Sequence, residues 1–87
     1  MSAMSSSDKI LGQLLRGSAD ANIAFRDLRQ LLLRLGFDER IRGDHHVFRR
    51  QGIRELINIQ KQDSNAKPYQ VKQVRRIIVE YKLAEED

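Results

Sequence analysis

At 87 residues, with no cysteine and 16 Lys plus Arg against 12 Asp plus Glu, the chain has room for one small two-layer domain and none for disulfide or thiolate chemistry. No apolar run reaches a membrane-spanning length, and residues 1–7 lack the basic start and apolar centre of a secretion signal. The expectation is a soluble, cytoplasmic protein whose single domain, residues 8–83, lies between a flexible lead-in at 1–7 and an acidic tail at 84–87. Because Glu85, Glu86 and Asp87 sit at the end of the chain, its body is more basic than the net charge suggests, and a polyanion (RNA, DNA or an acidic protein) is the natural partner class.

Ser7 is placed to cap a first helix over residues 8–16, with Ile10, Leu11, Leu14 and Leu15 on one side and Gly17 at its end. Residues 18–24 read as extended, Ile23 alternating with Phe25. A second helix follows over 26–35, where Leu28, Leu31, Leu32 and Leu35 keep helical spacing, Phe25 staples the entry and Gly36 stops it. The period then shortens to two. Phe37, Glu39 and Ile41 mark a strand over 37–42, Gly43 turns, and a second strand runs over 45–49. Gln51-Gly52 marks another turn before a third strand at 56–60. Short connections make these strands an antiparallel meander.

Residues 61–67 read as a polar loop, and Pro68 suits the first position of a last helix because its missing N–H costs nothing there. Val71, Val74, Ile77, Ile78 and Tyr81 form the buried stripe of that helix, leaving Lys72, Arg75 and Arg76 toward water. The predicted fold is α+β, a three-stranded antiparallel sheet with helices on one face. From the second helix onward the order α-β-β-β-α is that of a double-stranded-RNA-binding domain, here with an extra N-terminal helix.

Both histidines stand together in Gly43-Asp44-His45-His46-Val47-Phe48, where a glycine turn opens into a strand. Histidine is the side chain whose charge changes between about pH 5 and 8, so the position suits proton transfer; a half-buried structural histidine is the alternative. Neighbouring strand residues point to opposite faces, so the pair does not chelate one ion, and no cysteine or further histidine completes a ligand set. No metal or cofactor is expected. A Gly-x-Ser-x-Gly elbow and a phosphate loop ending in Lys-Ser or Lys-Thr are both missing. At the start of the last helix, free backbone N–H groups beside Lys67 and near Lys61 attract a phosphate unless Ser64 or Asn65 caps them. Arg26, Arg29, Arg49, Arg50, Arg75 and Arg76 extend a candidate backbone-binding surface, and Tyr69 either stacks on a base or packs as an ordinary ring.

Taken in order, Asp20-Ala21-Asn22-Ile23-Ala24-Phe25, Asp27-Leu28, Leu35-Gly36-Phe37, the double-histidine motif, Asn58-Ile59-Gln60 and Ala66-Lys67-Pro68-Tyr69-Gln70-Val71 span nearly the whole chain. Together they resemble the HicA toxins of type II toxin–antitoxin systems. The resemblance implies a compact domain similar to the double-stranded-RNA-binding fold, acting as an mRNA interferase that cleaves RNA without a metal and is neutralised by a HicB-like antitoxin. In that family the motif usually reads Gly-Ser-His, then another residue or His, an aliphatic and an aromatic, and its first histidine is catalytic. Carried onto this sequence, that residue is His45. His46 falls at a variable place and is carried over only as a neighbour, while Asp44 replaces the serine, where it either pairs with an adjacent histidine or repels an incoming phosphate. Ile57-Asn58-Ile59-Gln60 stands where many members carry Val-Pro-x-His, so no second histidine comes from the third strand.

The mechanism so implied has neutral His45 as general base on a ribose 2′-OH, whose oxygen attacks the adjacent phosphorus to leave a cyclic phosphate. Lys61, Lys67, Arg49, Arg75 and Arg76 are the candidates for holding the RNA backbone. His46, Lys67 and water are the possible acids. A non-catalytic RNA-binding or protein-interaction module on the same fold is the competing expectation.

Overall fold

Three amphipathic segments wind into helices that share one core with a small sheet, in a computed structural model that describes residues 6–85. In chain order the elements are α1 (Ser6–Arg16), a 3-10 turn (Asp20–Asn22), α2 (Phe25–Arg34), β1 (Asp38–Arg42), β2 (His45–Arg49), β3 (Ile57–Ile59), β4 (Lys61–Gln62), β5 (Asn65–Ala66), α3 (Pro68–Glu80) and a 3-10 turn (Leu83–Glu85). Strands β1, β2 and β3 form one antiparallel sheet in that order, and β4 pairs with β5 as a separate ribbon. The architecture is therefore α+β, a three-stranded antiparallel sheet with three helices, as the periodicity predicts. Among the described residues, no helix is long and apolar enough to cross a membrane.

Alternation along β2 and β3 decides which side of the sheet is dry. Phe48, Ile57 and Ile59 point inward and are buried with Leu28, Leu31 and Leu32 of α2 and Val71, Val74, Ile77 and Ile78 of α3. Arg40, Arg42, His45, Arg49 and Asn58 are exposed. Leu14 of α1 joins the core, whereas Leu15, expected beside it, is exposed because it falls past the edge of the buried stripe. The last turn of α2 closes at Gly36, whose φ of +93° lets its N–H reach the Leu33 carbonyl while Phe37 N–H reaches Leu32. Phe37 thus belongs to the helix end, and β1 begins one residue later than its apolar alternation suggests.

Further expectations are corrected. Helix α1 starts at Ser6, so Ser7 lies in its first turn and does not cap it; two of the seven lead-in residues are helical, favoured by Asp8 at the positive end of the dipole, and residues 1–5 of that lead-in, with Glu86 and Asp87 of the acidic tail, lie outside the described residues. Phe25 opens α2 itself, with Ala24 at the cap. The extended stretch before it contains the 3-10 turn, locked by Asp20, whose two carboxylate oxygens accept from the Arg75 guanidinium at 2.8 and 3.0 Å. Arg75 also donates to the Leu14 carbonyl at 3.2 Å, so it is half-buried and does not face water.

The polar loop at 61–67 is a hairpin. Asp63 takes a left-handed φ of +58° in its two-residue turn, a conformation Asp tolerates better than most residues. The ribbon is tied to the segment before α2, Phe25 N–H donating to the Ser64 carbonyl at 3.0 Å and Ala66 N–H to Ile23 at 2.9 Å. Two-residue strands with one apolar residue between them carry no alternation to read. On the other side, Gln70 in the first turn of α3 is buried and accepts Gln60 N–H at 2.7 Å, fastening the helix start to the end of the sheet. Tyr81 caps the far end of α3 and is only partly buried, its hydroxyl donating to Glu55 at 2.7 Å.

Candidate functional site

A two-residue turn, Gly43-Asp44, joins β1 to β2 and sets their register at Arg42↔His45 and Ile41↔His46. Gly43 carries a φ of +58°, which the first position of such a turn needs and which a Cβ would strain. Strand geometry then separates the histidines. His46 falls on the helix side with Phe48, and His45 on the open side with Val47 and Arg49.

On the helix side, a chain of short contacts meets His46. Its Nδ1 lies 2.7 Å from Glu39 Oε2, and Arg29 of α2 grips the same carboxylate with a two-pronged fork, Nε to Oε2 and Nη2 to Oε1, both at 2.7 Å. Only 17% of the His46 side chain and 9% of the Glu39 side chain are exposed, so water competes weakly for these bonds. The fork, followed by the His46 bond, holds the Glu39 carboxyl below its ordinary pKa against the opposing effect of burial. An ionised carboxylate only accepts, so the hydrogen of this bond resides on His46 Nδ1, and whenever the ring is neutral its lone pair is on Nε2. That is the arrangement in which a carboxylate orients a general base.

Phe25 fixes the ring from the side. Its centroid is 4.7 Å from that of His46 with the planes at 72°, an edge-to-face packing. The Lys61 ammonium stands 5.8 Å over the same phenyl ring. His46 and Lys61 line one shallow cleft of about 280 Å³ with Gly43, Asp44 and Asp63. An imidazole, a cation and two carboxylates therefore border the same space.

The remaining sequence candidates disperse. His45 is exposed on the other face, with only a 3.4 Å approach of its Nδ1 to Asn58 Oδ1. Arg49 shares that open face. Lys67 occupies the cap position of α3 and sends its ammonium to Gln60 Oε1 at 3.1 Å. No side chain caps that helix; Asn65, a capping candidate, donates to the Ala21 carbonyl at 3.3 Å. Arg75 is committed to Asp20, and Arg76 lies outward between Glu55 and Glu80 at 3.6 and 3.4 Å. Tyr69 is exposed, its hydroxyl accepting from Gln70 at 3.4 Å. The structure thus gathers His46, Lys61 and Asp44 and leaves His45, Lys67, Arg49, Arg75 and Arg76 elsewhere. Sequence reasoning missed the role of Glu39 and, as its partner, Arg29. The available signal was an acid in the inward phase between Phe37 and Ile41.

Among the described residues, no group of three or more His, Cys, Asp or Glu side chains is arranged to hold a metal ion. Comparisons with protein families, curated proteins and solved structures return no match.

Paired carboxylates also make stability depend on pH. Asp20, through its hydrogen bonds from Arg75, and Glu39, through Arg29, titrate below their ordinary values in the folded state. Their contribution is therefore complete above the unfolded carboxylate pKa and lost as pH falls through the lower folded values. Melting temperature should drop below about pH 5, and Asp20→Asn or Glu39→Gln should each flatten that drop in melts followed by circular dichroism. Parallel wild-type and variant curves would contradict the assignment.

Proposed function

We propose that the chain is a ribonuclease toxin of the HicA kind, built on a fold of the double-stranded-RNA-binding type, with His46 as its general base. One observation carries this reading: the 2.7 Å bond from His46 Nδ1 to a carboxylate that is itself clamped by Arg29. In the reaction, His46 Nε2 takes the proton of a ribose 2′-OH, O2′ bonds to the adjacent phosphorus, and the P–O5′ bond breaks. The products are a 2′,3′-cyclic phosphate and a 5′-hydroxyl, with the proton on the leaving oxygen supplied by water. Lys61 stabilises the negative charge that grows on the phosphoryl oxygens. A positioned base contributes about 10²- to 10⁴-fold, and substrate alignment the rest.

The resemblance favours His45 as the base; the carboxylate contact favours His46, since the exposed ring of His45 has only a long amide contact. An mRNA substrate, a HicB-like antitoxin covering the cleft and a cytoplasmic location belong to the same proposal. The non-catalytic module keeps one specific support, because Asp44 and Asp63 border the cleft and repel a phosphate. RNA incubated with the chain in EDTA decides between them. Fragments ending in cyclic phosphate support the ribonuclease, and RNA that is bound but left intact overturns it in favour of the module.

A further inference from the structure

The open face of the sheet is a basic surface that the catalytic reading leaves unused. Register lays its outward side chains in rows: Asp38 beside Arg49, Arg40 beside Val47 beside Asn58, and Arg42 beside His45. Arg40, Arg42, Val47, Arg49 and Leu56 line a cleft of about 410 Å³, and Leu56 is 57% exposed.

These arginines are grouped on one face of the sheet, and none of them is neutralised by an ion pair among the described residues. Arg29, Arg34, Arg75 and Arg76 each meet a carboxylate. Arg40, Arg42 and Arg49 form no ion pair among the described residues, and the nearby Asp38 is the one acid in these rows. Neighbouring strands lie about 4.8 Å apart and alternate residues along a strand about 7 Å apart, so three like charges are held close together by rigid backbone. Such crowding opposes folding modestly and is relieved when an anion binds.

We propose that this face is a docking track for single-stranded RNA, continuous with the cleft at His46. The inference rests on the ribonuclease reading for its ligand. Continuity comes from the β1–β2 turn: Arg42 and His45 flank Gly43 and Asp44, which themselves border the His46 cleft. A strand crossing that turn passes from the base onto the arginines. Single-stranded RNA fits better than a duplex because Val47 and Leu56 lie among the charges. A single strand sets its phosphates on the guanidinium groups and lays unpaired bases on the apolar side chains and guanidinium planes, whereas a duplex hides its bases.

The test uses a short, labelled 2′-O-methyl RNA, which lacks the nucleophilic 2′-OH and so reports binding without cleavage. Its affinity for wild type and for an Arg40→Gln, Arg42→Gln, Arg49→Gln variant is followed by fluorescence anisotropy from 50 to 200 mM salt. Three lost phosphate contacts at about 0.7 ion each flatten the log–log salt slope by about 2. Wild-type binding should therefore weaken roughly 15- to 20-fold more than the variant's over that range. Leu56→Ser should weaken binding with the slope unchanged. Equal affinity and slope in wild type and triple variant, both with unaltered melts, overturn the track even if wild type cleaves RNA. Tighter arginine-dependent binding of duplex RNA or polyglutamate overturns the choice of single-stranded RNA. Arginine-dependent binding of the probe, together with failure to cleave natural RNA, supports the track and defeats the ribonuclease reading instead.

Discussion

Glu39→Gln should lower the rate of RNA cleavage by about 10²- to 10⁴-fold, close to the whole contribution of a positioned base. The carboxylate has three hydrogens directed at its two oxygens, two from Arg29 and one from His46. A glutamine amide offers one oxygen and one NH₂. If its oxygen serves His46, the NH₂ faces an arginine donor; if it flips, the NH₂ donates to His46 Nδ1 and drives the ring hydrogen onto Nε2, where the lone pair is needed. Either arrangement disables the base or breaks the clamp. The loss should fall on kcat with KM little changed, since Glu39 reaches the substrate only through His46. A purely structural role predicts that kcat recovers when the variant is stabilised. NMR of the imidazole nitrogens adds an independent reading: Nδ1–H in wild type, and a shifted tautomer population in the variant.

Phe48→Ala carries the largest expected cost to folding. Its ring is 0% exposed on β2, the middle strand, paired with Glu39 on β1 and Ile57 on β3, and it joins the core shared by α2 and α3. Truncating a buried phenylalanine costs about 3–5 kcal/mol because a cavity remains that the neighbours only partly fill. Small domains have about 5–15 kcal/mol in total. For a domain of this length that loss lowers the melting temperature by roughly 12–40 °C. Phe48→Leu, which retains most of the volume, should recover more than half of it. A drop of only a degree or two for the alanine variant would mean that the sheet does not depend on this ring. The link to function is direct, since β2 presents Phe48 and His46 on one face, and loosening the former releases the latter from Glu39.

Much of this architecture follows from periodicity that the sequence displays. Leu28, Leu31 and Leu32 announce α2, and Val71, Val74, Ile77 and Ile78 announce α3. The separation of His45 from His46 is equally legible, because adjacent strand positions face opposite ways. Which histidine meets a carboxylate is a different kind of fact. It depends on the register set by Gly43-Asp44, which brings Glu39 diagonally across from His46, and on α2 packing so that Arg29 reaches Glu39. The β4–β5 hairpin escapes notice for a local reason: its strands are two residues each, and its ties to Ile23 and Phe25 are backbone bonds, with no apolar pattern to show them. Arg75 has the look of a free surface cation until the fold supplies Asp20, 55 positions away in the chain.

The most direct measurement is the cleavage rate of RNA in EDTA by wild type, His46→Ala and His45→Ala, each with a verified melt and with product ends identified. The account predicts cyclic-phosphate ends from wild type, a loss of about 10²- to 10⁴-fold for His46→Ala, and a much smaller change for His45→Ala. Full activity in His46→Ala, with the loss falling on His45→Ala, would contradict it.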